Sequence, residues 1–150
     1  MVTAASARPV TARPCSSSPL GDTGKLLLRL TLGVLMLLHG VGKVTGGIDF
    51  ILGAVADAGL PAAFGSLVYV GEVVAPLLLI LGAWTRVTAL VIVINMVVAV
   101  AMVHGAQLVT LSPSGGWALE LQGFYIAMAL AIALLGAGRF SAGGVEGRWN

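Results

Sequence analysis

Apolar residues fall into four long blocks along the chain, and short connections separate them. The blocks cover about residues 25–44, 64–83, 87–106 and 117–137. A helix needs roughly 20 mostly apolar residues to cross the ~30 Å hydrocarbon core of a bilayer. The pattern therefore predicts an all-α membrane protein, a bundle of four transmembrane helices.

The connection after the first block has a helical period of its own. Ile48, Ile51, Leu52 and Val55 share one helical face, and Asp49, Gly53 and Asp57 share the opposite face. This segment is too short to span a bilayer, and its two faces are typical of a helix lying in the membrane interface. We therefore expect a short interfacial amphipathic helix between helices 1 and 2, with an ordinary connecting loop as the alternative.

Composition agrees with membrane insertion and removes several classes of protein. Hydrophobic residues make up 58% of the 150-residue chain, charged residues make up 9%, and the mean hydropathy is +1.03. A soluble domain has about 25% charged residues. The net charge of +2 comes mainly from bases at the ends of the apolar blocks, so it gives no argument for a nucleic-acid partner. Cys15 is the one cysteine, which excludes an intrachain disulfide.

The two ends of the chain differ from the apolar blocks. Residues 1–24 are rich in Ser, Thr, Ala and Pro and lack the apolar core of a secretory signal, so they predict a disordered tail. Residues 25–138 form the predicted membrane domain. The Gly-rich residues 139–150 predict a loose C-terminal tail.

Basic residues lie almost entirely on one side of the predicted membrane domain. That side carries Arg8, Arg13, Lys25, Arg29, Arg86, Arg139 and Arg148, whereas the other side carries Lys43. Because basic segments are retained in the cytoplasm, both termini are predicted to be cytoplasmic. The first span then runs outward and ends at the outer surface.

Each predicted span carries an ionisable residue in its outer third. These groups form a candidate polar pocket of His39, Lys43, Glu72, His104 and Glu120. Ionisable groups are expensive inside a membrane and are functional candidates for that reason. Three uses are open: a metal site, a site that holds and protonates a quinone headgroup, or a structural network. No span has a paired ligand motif such as His-x-x-x-His, which argues against the metal site.

Three other residues inside the apolar blocks have separate interpretations. Arg29 lies near the predicted cytoplasmic surface and is expected to extend to lipid phosphates. Asn95 is about half a turn out of phase with His104, so we expect an interhelical hydrogen bond apart from the polar pocket. Pro76 cannot donate to the carbonyl of Glu72, and a helix kink is expected there.

The order of these segments resembles the DoxX family of small four-span membrane proteins. The similar pieces are RLTLGVLMLLHGVGK in span 1, GLP before span 2, VGEVVAPLLLILGAWTR across span 2, MVHGA at the end of span 3, and ALELQGFYIAMALAIALLGAGRFS in span 4. The resemblance runs over about residues 28–141. It implies a four-helix bundle in the bacterial inner membrane.

The resemblance also implies an association with redox work. One related subunit belongs to a thiosulfate:quinone oxidoreductase, and other members join membrane oxidoreductase complexes with soluble partners. We therefore expect a subunit or accessory of a quinone-linked redox complex. Quinone is its candidate cofactor, and lipid, partner subunits and further copies of the chain are its candidate partners. Whether the chain is itself an enzyme stays open.

Two alternatives remain beside the redox subunit. The first is a structural or assembly module whose polar groups only hold the bundle together. The second is a metal-handling or transport protein, which needs a hydrophilic route through the membrane. The inner halves of the spans offer Arg29 and Asn95 for that route, so the sequence favours transport least.

Overall fold

The structure is a computed structural model that describes residues 18–144, 147 and 149–150. Its helices are α1 (Pro19–Gly46), α2 (Asp49–Asp57), α3 (Ala75–Leu81), α4 (Thr85–Val103) and α5 (Glu120–Leu135). Short 3-10 segments cover Ala62–Leu67 and Gly105–Gln107, and a π-helical turn covers Val70–Val74. Within these residues the one β pairing is an isolated bridge between Leu111 and Trp117. The predicted all-α class is confirmed.

Three of the described segments are long and apolar enough to cross a membrane. They are Pro19–Gly46, Ala62–Leu81 and Thr85–Val103. The fourth predicted span is occupied by α5, which has 16 residues and is shorter. The chain is therefore a helical membrane protein in contact with lipid, and α2 is the helix expected between its first two spans.

Helix α1 begins earlier than hydropathy predicts. The Ser18 hydroxyl accepts a 3.1 Å hydrogen bond from the N–H of Gly21, and Pro19 occupies the first helical position. Both are strong helix-start signals, because they suit the unpaired N–H groups of a first turn. Residues 19–24 are thus helical and the prediction of a disordered segment there is wrong. The rest of that predicted tail, residues 1–17, lies outside the described residues.

The second span changes its helical type along its length. A 3-10 segment opens it, and the π-helical turn follows, in which the N–H of Ala75 bonds the carbonyl of Val70 five residues earlier. Helix α3 then begins with Pro76 at its second position. Proline removes a backbone donor, and a π turn is one way for a helix to accommodate that loss. A π turn that contains Glu72 therefore precedes Pro76, at the place where a helix kink is predicted.

A single apolar core joins the long helices. Its buried residues are Leu32 and Met36 of α1, Ala75 and Leu79 of α3, Ala89, Ile92 and Met96 of α4, and Tyr125, Ala129 and Ile132 of α5. Helix α1 approaches the second span at two glycines. A Cβ on Gly33 would lie 2.6 Å from the Ile80 side chain, and a Cβ on Gly40 would overlap the backbone of Glu72.

The C-terminal segment packs against the α3–α4 connection. The N–H groups of Ala142 and Gly143 donate to the carbonyls of Leu81 and Gly82, at 3.0 and 3.1 Å. The Asn150 side chain is buried and accepts a 2.9 Å bond from the Thr85 hydroxyl. For the described part of residues 139–150, the prediction of a loose tail is therefore wrong, because backbone bonds attach it to the helical domain.

Candidate functional site

Glu72 is buried in the apolar interior, with 2% of its surface exposed. It lies on the π-helical turn, directly after Gly71. A Cβ on Gly71 would lie 2.5 Å from the Cβ of Asn95, so a larger residue has no room there. The glycine thus allows the π turn to approach α4 closely, and this approach brings the carboxylate to the amide of Asn95.

The Glu72 carboxylate has two donors on one oxygen. The Lys43 ammonium forms an ion pair with Oε1, and the Asn95 amide donates to the same atom at 3.3 Å. The other oxygen, Oε2, is buried and has no hydrogen-bond partner among the described residues. Buried polar atoms are nearly always paired, so an unpaired carboxylate oxygen marks a candidate site.

Asn95 therefore belongs to the polar site, and the prediction that it lies apart from the site is wrong. Its expected interhelical hydrogen bond is present, but the partner is Glu72. The helical period relates Asn95 to His104 on the same helix, and the His104 N–H still bonds the carbonyl of Val100. This period carries no information on which face of α4 the second span covers, and Glu72 of that span lies against Asn95.

These polar groups lie at a cavity of about 780 Å³. Its polar lining is Lys43, Glu72, Asn95 and His104, and the remaining lining comes from apolar residues and glycines of α2 and its flanking connections, the second span and α4. Phe64, Leu67 and Ile94 are among them, and each is more than half exposed. The cavity thus combines a polar group of side chains with an apolar wall that is partly exposed.

Two residues of the predicted polar pocket lie outside this cavity. His39 is exposed, and its Nδ1 lies 2.9 Å from the carbonyl oxygen of Leu35. Its ring meets the ring of Tyr125 edge-on, at 5.7 Å between centroids. Glu120 is exposed at the start of α5. The structure thus brings Lys43, Glu72 and His104 to one cavity, and it leaves His39 and Glu120 at other surfaces.

A metal centre needs several ligands in one place. Within residues 18–144 and the described C-terminal positions, no three His, Cys, Asp or Glu side chains are grouped so as to hold a metal ion. The donor set at the cavity is one carboxylate, one amide, one ammonium and one imidazole. An ammonium beside the carboxylate competes with a cation for the same oxygen, so this set suits an uncharged polar group better.

Arg29 forms a second buried polar cluster, at the opposite end of the helical domain. It is 1% exposed, so the prediction that it extends to lipid phosphates is wrong. Its guanidinium donates to four backbone carbonyls, those of Leu79, Ile80, Ala137 and Phe140, at 2.7–3.1 Å. Helix C-termini leave carbonyls without helical partners. The guanidinium donates to two carbonyls in the last turn of α3 and to two in the segment that follows α5.

Arg86 has a related role on α4. Its guanidinium donates to the carbonyl of Ala133 on α5 at 3.0 Å and to the carbonyl of Asn150 at 3.2 Å. We call Arg29, Arg86 and their carbonyl partners the arginine end, and Lys43, Glu72, Asn95 and His104 the carboxylate end. No sequence motif indicates these arginine bonds, because their acceptors are backbone atoms far away along the chain.

The fold and the cavity define a small multi-pass helical membrane protein with a partly buried ion pair. The sequence matches the DoxX family over residues 24–105, more than half of the chain, and the chain belongs to that family. The match covers most of α1 and continues through α4, and it ends before α5. No match was found among curated proteins or among solved structures.

Proposed function

We propose that the chain is a membrane subunit or accessory of a quinone-linked redox complex, and that a quinone headgroup binds beside Glu72. The observation that carries this proposal is the cavity, in which a buried carboxylate with an unpaired oxygen meets a mostly apolar wall. Ligand pockets of this kind use apolar lining for affinity and few polar groups for orientation. A quinone has a polar headgroup on an apolar tail, so it matches both the polar groups and the apolar lining of the cavity.

The residues of the carboxylate end would divide the work. Glu72 Oε2 and Lys43 would hold the headgroup, and the apolar side chains of the second span and α4 would hold the tail. A bound quinone supplies a two-electron, two-proton carrier, and the electron-transfer groups belong to partner subunits. Glu72 would accept or return a proton at Oε2, while Lys43 and Asn95 hold its other oxygen in place.

The placement in the membrane belongs to the same proposal. Helix α5, with 16 residues, is about 24 Å long at 1.5 Å per residue. We infer that it forms the fourth span, together with the residues flanking it, and that α2 lies in the outer interface. The concentration of Arg at one end favours cytoplasmic termini in a bacterial inner membrane. The membrane domain then covers residues 25–138, extended by the early start of α1.

Blocking the cavity tests this function. Ala99 lines the cavity on α4, whereas Ala101 is exposed on the same helix and does not line it. We expect the wild type, purified in mild detergent, to bind decylubiquinone or its hydroquinone, and Ala99→Phe to bind neither. Ala101→Phe is the matched control and should bind like the wild type. Absence of binding of both redox forms to the wild type would refute the proposed function.

A structural role is the second candidate, and one observation favours it. Lys43, Glu72 and Asn95 connect α1, the second span and α4 through a single carboxylate oxygen. If this connection is the whole purpose of the site, Glu72→Gln lowers the thermal stability of the purified protein. In that case neither quinone form changes the melting temperature of the wild type, whereas a ligand at the cavity raises it.

A further inference from the structure

We propose that the carboxylate end selects the reduced, hydroquinone form of its ligand over the oxidised form. The inference rests on the proposed function and adds which redox state binds. Its basis is a mismatch in hydrogen bonding: one buried acceptor atom has no donor among the described residues, and the ligand must bring one. A hydroquinone carries O–H donors, whereas the corresponding quinone carries carbonyl acceptors.

The donors already present in the site are directed to the other oxygen. In its ion pair with Lys43, Glu72 is a carboxylate, and both of its oxygens accept. Lys43 and Asn95 both donate to Oε1. Oε2 therefore requires a donor from outside the described residues. A quinone carbonyl placed against this oxygen would put two acceptors together, whereas a hydroquinone hydroxyl would form a charge-assisted hydrogen bond.

His104 also lines the cavity. Its Nδ1 lies 3.2 Å from Oε1 of Gln107, and in the tautomer that donates this hydrogen bond Nδ1 carries the proton. In the neutral ring, Nε2 is then an acceptor. In that tautomer the free hydrogen-bonding positions of Glu72 and His104 are both acceptors, and the side-chain donors left at the cavity are the further N–H groups of Lys43 and Asn95. A hydroxyl group can donate to either of these acceptors, whereas a quinone carbonyl can accept only from Lys43 or Asn95.

The apolar wall indicates how the ligand reaches the site. Phe64, Leu67 and Ile94 line the cavity and are also more than half exposed. A ligand dissolved in the bilayer can therefore place its tail against these residues without crossing water. Long-chain alcohols share the hydroxyl donor and the apolar tail, and the test must separate them from hydroquinones.

The test compares ligands that differ in their donors. Equilibrium binding of decylubiquinol, decylubiquinone, the dimethyl ether of the hydroquinone and 1-dodecanol is measured on the full chain in detergent, without oxygen. Because a charge-assisted bond is at stake, decylubiquinol should bind the wild type about tenfold tighter than decylubiquinone. The dimethyl ether, which lacks O–H donors, should bind no better than the quinone, and dodecanol should bind more weakly than the hydroquinone.

Two variants assign the preference to the carboxylate. Glu72→Gln replaces an acceptor with an amide that can donate, so the preference for decylubiquinol should fall to within threefold or invert. Glu120→Gln removes an exposed carboxylate away from the cavity and should keep the tenfold preference. The wild-type measurement stands by itself if Glu72→Gln does not fold.

The outcomes separate this inference from the proposed function. Equal or tighter binding of the quinone by the wild type, sensitive to Ala99→Phe, overturns the redox preference and leaves the quinone site in place. Dodecanol binding as tightly as decylubiquinol overturns the assignment to a hydroquinone in favour of a lipid alcohol. Absence of binding of both quinone forms removes the proposed function itself, and the preference with it.

Discussion

The two ends of the helical domain each bury a charged side chain, and they satisfy it differently. Arg29 is 1% exposed and Glu72 is 2% exposed. Arg29 donates to four backbone carbonyls, whereas Glu72 has two donors on one oxygen and none on the other among the described residues. Burial alone therefore does not identify a functional charge in a membrane protein. The pairing of its individual atoms distinguishes a structural group from a candidate site.

Electrostatics explains why Arg29 needs no acidic partner for its four hydrogen bonds. The last carbonyls of a helix carry partial negative charge, and a cation near a helix C-terminus is stabilised by it. Leu79 and Ile80 are near the end of α3, and Ala137 follows α5. The guanidinium thus connects the ends of two helices to α1. At the carboxylate end, the ion pair of Lys43 with Glu72 connects the helices. The second oxygen of Glu72, Oε2, has no hydrogen-bond partner among the described residues.

The largest effect on stability is expected at the arginine end. Arg29→Met removes the donor from four carbonyls that are buried or partly buried, and although Leu79 keeps a bond from the N–H of Gly82, each group left unsatisfied is expensive. We expect a loss of about 3 kcal/mol or more in the free energy of unfolding in detergent, followed by circular dichroism. Arg86→Met is the comparison variant and should lose less, because Arg86 is partly exposed and donates to two carbonyls. A loss below about 1 kcal/mol for Arg29→Met would contradict the structural role.

The next largest effect on stability is expected at Gly40, where the backbone of α1 lies close to the backbone of the π turn. A Cβ on Gly40 would lie 2.7 Å from the carbonyl carbon of Glu72, so Gly40→Ala must displace the π turn. We expect a loss of about 1–3 kcal/mol in stability from this overpacking. A Cβ on Gly42, in the same helix, would have open space around it among the described residues, so Gly42→Ala should be neutral or stabilise through helix propensity. Similar losses in both variants would show that α1 does not pack here through Gly40.

Removing one partner of the ion pair should have a smaller effect. Lys43→Met leaves the Glu72 carboxylate buried with only the Asn95 amide on Oε1. The Lys43 side chain is 29% exposed, so the pair is weaker than a fully buried one. We expect a loss of about 1–2 kcal/mol in the free energy of unfolding. No loss would indicate that the carboxylate end depends little on its ammonium group.

The positions of the spans could be predicted from the sequence because burial in lipid acts on each segment separately. The hydrogen-bond partners of the polar residues could not be predicted in this way. Arg29 bonds carbonyls that are 50 to 111 positions away, and nothing in the side chains of those residues indicates it. The helical period places Asn95 about half a turn from His104, but it does not indicate that Glu72 of the second span lies against Asn95. The Ser18–Pro19 start of α1 was readable as a cap, but hydropathy does not register it.

The smallest effect on stability should come from replacing the ion pair as a whole, and it tests the comparison most directly. Lys43→Met combined with Glu72→Leu removes both charges and fills their space with apolar groups of similar size. Such replacements of buried pairs are often neutral or stabilising, because the desolvation of both ions is avoided. We expect the double variant to unfold within about 1 kcal/mol of the wild type and to bind neither decylubiquinol nor decylubiquinone. A double variant as unstable as Arg29→Met would mean that the carboxylate end is a structural connection like the arginine end. Retained folding with lost binding would instead show that the membrane domain keeps Lys43 and Glu72 for the ligand.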